Sequence, residues 1–159
     1  MLAYFAAAVF VPLLLVLPHE LGHALVALAF GVRPVDVYVG AEPRRDLSLG
    51  ALRMHVRALN GWRWLWYGTV QAEGEVASRR RRAAILAAGP LTTLLLVVAY
   101  SAAGTATGGF LRWFWWFLAL GGVWAFAVTA LPIRYGRFFG PYAGRASDGY
   151  RIREALGGS

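Results

Sequence analysis

Three stretches of the chain are almost free of charge. Residues 83–111 form a run of 29 without a charged side chain, and residues 113–133 form a second run of 21. The hydrocarbon core of a bilayer is ~30 Å thick and takes about 20 apolar residues as a helix, so each run is long enough to cross it. The first 32 residues are apolar too, apart from a polar interruption at Pro18-His19-Glu20. No Lys or Arg precedes that run and no clear small-x-small cleavage site follows it. It therefore reads as a retained helix, kinked near Pro12 or Pro18, rather than as a signal peptide.

Residues 31–82 follow another period. Val35, Val37 and Val39 alternate with Asp36 and Tyr38, and Leu52, Met54 and Val56 alternate with Arg53, His55 and Arg57. A period of two predicts strands. Asn60-Gly61 then separates the second alternating run from Trp62, Trp64 and Trp66, whose face opposes Arg63, Leu65 and Tyr67. Asn-Gly between alternating runs predicts a hairpin, here with an aromatic face at the membrane interface. The expected fold is a mainly α membrane protein in one domain over residues 1–159. Three transmembrane helices, at about 2–30, 83–105 and 112–132, enclose a small antiparallel β-sheet inserted between the first and second at about 33–75, and a C-terminal loop covers 133–159.

Composition supports a membrane setting. The chain is 58% hydrophobic and only 15% charged, where a soluble domain carries about a quarter charged residues. Its net charge is +8, and all sixteen basic residues are Arg. Ten lie in residues 31–82, five in 133–159, and one, Arg112, between the second and third apolar runs. With three spans, fifteen share one face, which the positive-inside rule makes cytoplasmic, with the N-terminus outside. The Arg79 to Arg82 cluster reads as a topology anchor, and Arg placed at span ends does not point to nucleic acid as a partner. Without Cys, any metal must be held by His, Asp or Glu.

One polar group stands inside the first apolar run: His19-Glu20-Leu21-Gly22-His23. On a helix, residues four apart share a face, so both imidazoles can bind one Zn²⁺ while Glu20, about 100° around, reaches a water. Ionisable groups are costly inside a membrane and are retained there mostly for function. Each histidine should also donate its second ring N–H to an acceptor, which the sequence does not identify.

A catalytic zinc takes three protein ligands. Candidates for the third are Asp36, Glu42, Asp46, His55, Glu73, Glu75, Asp148 and Glu154. Glu42 precedes Pro43 in a strand-like segment and so is not helical. Asp148 follows the third apolar run and returns to the face where the first run ends, which favours it.

The chain resembles the site-2 protease family of intramembrane zinc metallopeptidases. The likeness rests on His19-Glu20-Leu21-Gly22-His23, Ala88-Gly89-Pro90 and Leu131-Pro132 followed by Asp148-Gly149, in that order. It implies one Zn²⁺ per chain on His19, His23 and Asp148, with Glu20 as general base, in a multi-pass protein of a bacterial cell membrane. It also implies that a transmembrane segment of another membrane protein is cut in the lipid bilayer, and that the sheet holds this substrate extended. Members often carry Asn soon after the Ala-Gly-Pro and shortly before the Leu-Pro. Here Thr93 and Thr129 take those places and are the candidates for oxyanion or substrate orientation. The competing reading is a catalytically inactive zinc-containing membrane protein that binds a partner helix. Glu20 beside the histidines argues against it, because a purely structural site needs no such carboxylate.

Overall fold

The protein is described by a computed structural model that covers residues 2–40, 45–56, 68–72, 76 and 78–157. Helix α1 (Leu2–Ala29) leads into strands β1 (Val35–Val39), β2 (Arg45–Leu49), β3 (Leu52–Val56) and β4 (Gly68–Ala72). Helices α2 (Arg79–Ala106), α3 (Gly109–Ala130) and α4 (Asp148–Gly157) follow, with a 3-10 segment, Arg137–Tyr142, between the last two.

This corrects the expected fold. Its described residues make a small mixed α/β protein with four helices and a four-stranded mixed sheet, rather than three transmembrane helices around an antiparallel sheet. Among the described residues, α2 and α3 are long and apolar enough to cross a membrane, and Leu13–Ala29 of α1 is a shorter apolar helix. The strand order is β2-β3-β1-β4, with β3 parallel to β1 and β2 and β4 antiparallel to their neighbours. A period of two marks a strand but carries no direction. The direction comes from β2, an element not singled out in the sequence, which pairs Leu49 with Leu52 across a two-residue Gly50-Ala51 turn and so sends β3 back parallel to β1. The Asn60-Gly61 turn and the Trp62, Trp64 and Trp66 face lie outside the described residues. The next described strand, β4, pairs with β1 and not with β3.

The core has two parts. Ala24 and Ala27 of α1 pack with Val32, Val35, Val37 and Val39, so the central strand lies under the end of the helix. Leu15 of α1 packs with Tyr100, Leu118 and Ala119 of α2 and α3. The Tyr100 hydroxyl donates to Leu14 O at 2.8 Å, which ties α2 to α1. Helices α2 and α3 form an antiparallel hairpin in which Gly104 faces Trp116 and Gly122 faces Val97. The sheet and the hairpin thus meet the same stretch of α1, and that stretch holds His19, Glu20 and His23.

Candidate metal centre

His19 and His23 are one helical turn apart on α1 and both are buried. Their Nε2 atoms lie 3.2 Å apart, with Asp148 Oδ2 at 3.2 Å from the first and 3.4 Å from the second. One ligand atom from each of the three residues falls within 4.8 Å of the others.

The other ring nitrogens decide what the Nε2 atoms can do. His23 Nδ1 lies 2.7 Å from Ile85 O, which can only accept, so that nitrogen carries the proton. His19 Nδ1 lies 2.8 Å from the Thr93 hydroxyl, and that hydroxyl donates to Gly89 O at 3.2 Å, so Thr93 accepts from His19. In the neutral tautomers both Nε2 lone pairs then point at each other and at a carboxylate oxygen. Three acceptors at this separation repel unless a cation or an added proton lies among them. Two neutral imidazoles and one carboxylate are a donor set that suits Zn²⁺, so the residues present fit a metal ion.

Asp148 is delivered by a helix start. The buried Ser147 hydroxyl accepts the Tyr150 N–H at 3.1 Å, which caps α4 and puts Asp148 in its first turn. The same hydroxyl donates to Leu131 O at 2.5 Å and accepts the Ile133 N–H at 3.2 Å, locking the cap to the end of α3. Burial alone would raise the Asp148 carboxyl. When a proton lies on the Nε2 atoms that face it, the hydrogen bonds and charge of His19 and His23 outweigh burial and hold it well below the usual carboxylate range, and a metal cation in the same place would act in the same direction.

Glu20 is buried beside this group and its carboxylate accepts no hydrogen bond from any described residue. Two glycines make room for the cluster. A Cβ at Gly89 would run into Nε2 of both histidines, and a Cβ at Gly68 would run into Glu20. A cavity of about 840 Å³ opens onto His19, Glu20, His23 and Asp148 and is bounded elsewhere by Gly68 and Tyr142.

Thr93 is fully buried behind His19, where its hydroxyl orients the ring. Thr129 lines the cavity, and its hydroxyl donates within its own helix to Ala125 O at 2.9 Å. Asp36 and Asp46 both bond to His55, and Glu154 lies 3.9 Å from Arg134, so none of these four reaches the metal centre. Glu42, Glu73 and Glu75 lie outside the described residues. Sequence reasoning missed Ser147, although a Ser directly before a helix start is a legible cap. It also missed the Ile85 carbonyl, which leaves no mark in a sequence. No protein-family model matches the chain and no curated protein matches it, so the geometry of this site carries the functional reading.

Proposed function

We propose that this chain is a zinc-dependent endopeptidase that cuts a transmembrane segment of another membrane protein within the bilayer. The observation that carries this reading is the meeting of His19, His23 and Asp148 ligand atoms beside a buried Glu20 that accepts no hydrogen bond among the described residues. Zn²⁺ held there would polarise a carbonyl and lower the pKa of a water to ~7. Glu20 takes the proton of the attacking water and passes it to the amide nitrogen as the C–N bond breaks, leaving a carboxylate and an amine. Thr93 and Ile85 hold the two rings in place throughout.

A membrane setting is supported by the surface of the α2–α3 hairpin. Only 22% of the most apolar stretch of α2 and 17% of that of α3 is buried, whereas the core helix of a soluble protein hides its apolar face. Leu95, Val98, Leu120 and Trp124 are each at least 60% exposed. A hairpin of two spans brings residues 31–82 and 133–159 to one face with fifteen Arg, and Arg112 to the other. The positive-inside rule makes the Arg-rich face cytoplasmic.

A peptide carbonyl in a helix is tied up in the backbone ladder, so the substrate must unwind to be cut. Among the described residues no strand covers the outer edge of β4, which borders the cavity and offers an unwound segment backbone partners next to Glu20. The test is purified protein in lipid vesicles with a single-span model protein. Cleavage should stop on chelation and return with added Zn²⁺. Cleavage that survives chelation would overturn the reading.

A further inference from the structure

Among the described residues, β4 has one partner strand, β1, and its other edge is open. In an antiparallel pair, residues alternate between those bonded to the partner and those whose N–H and C=O point outward. Gly68 points outward. Its N–H donates to the Tyr142 hydroxyl at 2.7 Å, and its C=O accepts from the same hydroxyl at 3.1 Å. By alternation, Val70 and Ala72 are the other outward residues of β4. The facing strand agrees, because Val35, the β1 partner of Ala72, sends its N–H to Ala51 on the β3 side.

Gly68 is also the β4 residue that lies against Glu20. One hydroxyl therefore fills the two backbone positions that an added strand would use closest to the general base. Tyr142 is well fixed there. Its ring packs on that of Tyr135 with centroids 5.4 Å apart, and the buried Tyr135 donates to Val128 O at 3.3 Å. The base of the loop is closed by a bridge between Arg134 and Ala146, directly before Ser147 and Asp148. The Tyr135 N–H donates to Arg145 O at 2.9 Å and the Gly144 N–H to Tyr135 O at 2.8 Å, which tightens that closure.

We propose that Tyr142 is a positioning residue that sets the cleavage register. It ends the open edge of β4 at Gly68, so an extended substrate pairs with Val70 and Ala72 only and leaves the strand beside Glu20. This inference rests on the proteolytic reading of the same site. The stop depends on the hydroxyl, so Tyr142→Phe keeps the ring packing and opens Gly68 to pairing.

The chain contains no Cys, so Ala72→Cys places a unique thiol on the open edge. The probes are Leu/Ala-rich single-span peptides with a Gly-containing centre, identical except for the position of one Cys. They are oxidised against Ala72→Cys protein in micelles, with either Tyr142 or Tyr142→Phe. With Tyr142 one peptide position should dominate the cross-links. With Tyr142→Phe the dominant position should move by about two residues, or spread over two such positions, because backbone pairing repeats every second residue. The same dominant position in both proteins, or no preferred position in either, overturns the proposal. Cleavage of the same peptides by protein without the Cys is scored separately. No hydrolysis with a register shift sinks the proteolytic reading alone, and hydrolysis with an unmoved register sinks the role of Tyr142 alone.

Discussion

His19 takes its orientation from α2 rather than from its own helix: its Nδ1 lies 2.8 Å from the Thr93 hydroxyl, which in turn donates to Gly89 O. Two histidines four residues apart on α1 supply the spacing for a metal, but the turn of α2 around Gly89 and Thr93 fixes which nitrogen faces it.

Removing that hydroxyl in Thr93→Val should leave a ring N–H buried without a partner and let the imidazole turn. Loss of such an outer partner weakens metal binding by about 10–100-fold. Zinc affinity, measured by competition with a chromophoric chelator, should fall in that range for Thr93→Val and recover in Thr93→Ser. An unchanged affinity for Thr93→Val would show that the ring is held by other means.

Ser147 is a second point of control. It caps α4 and also bonds both sides of the turn that ends α3, so Ser147→Ala removes a cap worth about 1 kcal/mol together with the bonds that tie it to Leu131 O and the Ile133 N–H. Asp148 should lose its fixed approach to the histidines. Thermal melting of the zinc-loaded protein should drop, and zinc affinity should drop with it. A lower melting temperature with unaltered zinc affinity would contradict the link between the cap and the site.

How much of this was legible in the sequence varies from residue to residue. His19, Glu20 and His23 were readable because spacing along a helix fixes which side chains share a face, whatever the helix packs against. Asp148 was favoured among several carboxylates because the third apolar run brings it back to the right end of α1. Its neighbours Thr93, Ile85 and Ser147 act through contacts between elements distant in sequence, 74 residues in the case of His19 and Thr93. Strands β1 and β3 were visible as alternation. Their parallel pairing was not, because it follows from the position of β2, and β2 is a short segment whose pairing depends on a turn. The expected three spans failed for a related reason. Apolar length does not distinguish a helix facing lipid from one that packs Ala24 and Ala27 against β1, as α1 does.

The sheet carries its own titratable centre. His55 on β3 donates from Nδ1 to Asp46 of β2 at 2.7 Å and from Nε2 to Asp36 of β1 at 2.8 Å. Its ring stacks on Tyr38 with centroids 4.5 Å apart, and Arg53 lies 4.0 Å from Asp36. With a carboxylate on each nitrogen, first Asp36 and then Asp46, the imidazole is pushed above its ordinary value of 6.5. A raised value means that the stabilisation is fully present below the unfolded value and is lost as pH rises through the folded one. The melting-temperature gap between the wild type and His55→Gln should therefore be largest near pH 6 and shrink by roughly pH 9. A gap that grows over this interval would contradict the imidazolium assignment.

In the proposed reaction Glu20 moves a proton at a metal site that it does not itself build. Glu20→Gln keeps the size of the side chain and removes the base, so one preparation in lipid vesicles can be scored for zinc content and for cleavage of a single-span model protein. The variant should hold zinc in the wild-type ratio and lose about 10²–10⁴-fold in cleavage rate. Cleavage at the wild-type rate with zinc still bound would show that Glu20 is not the base.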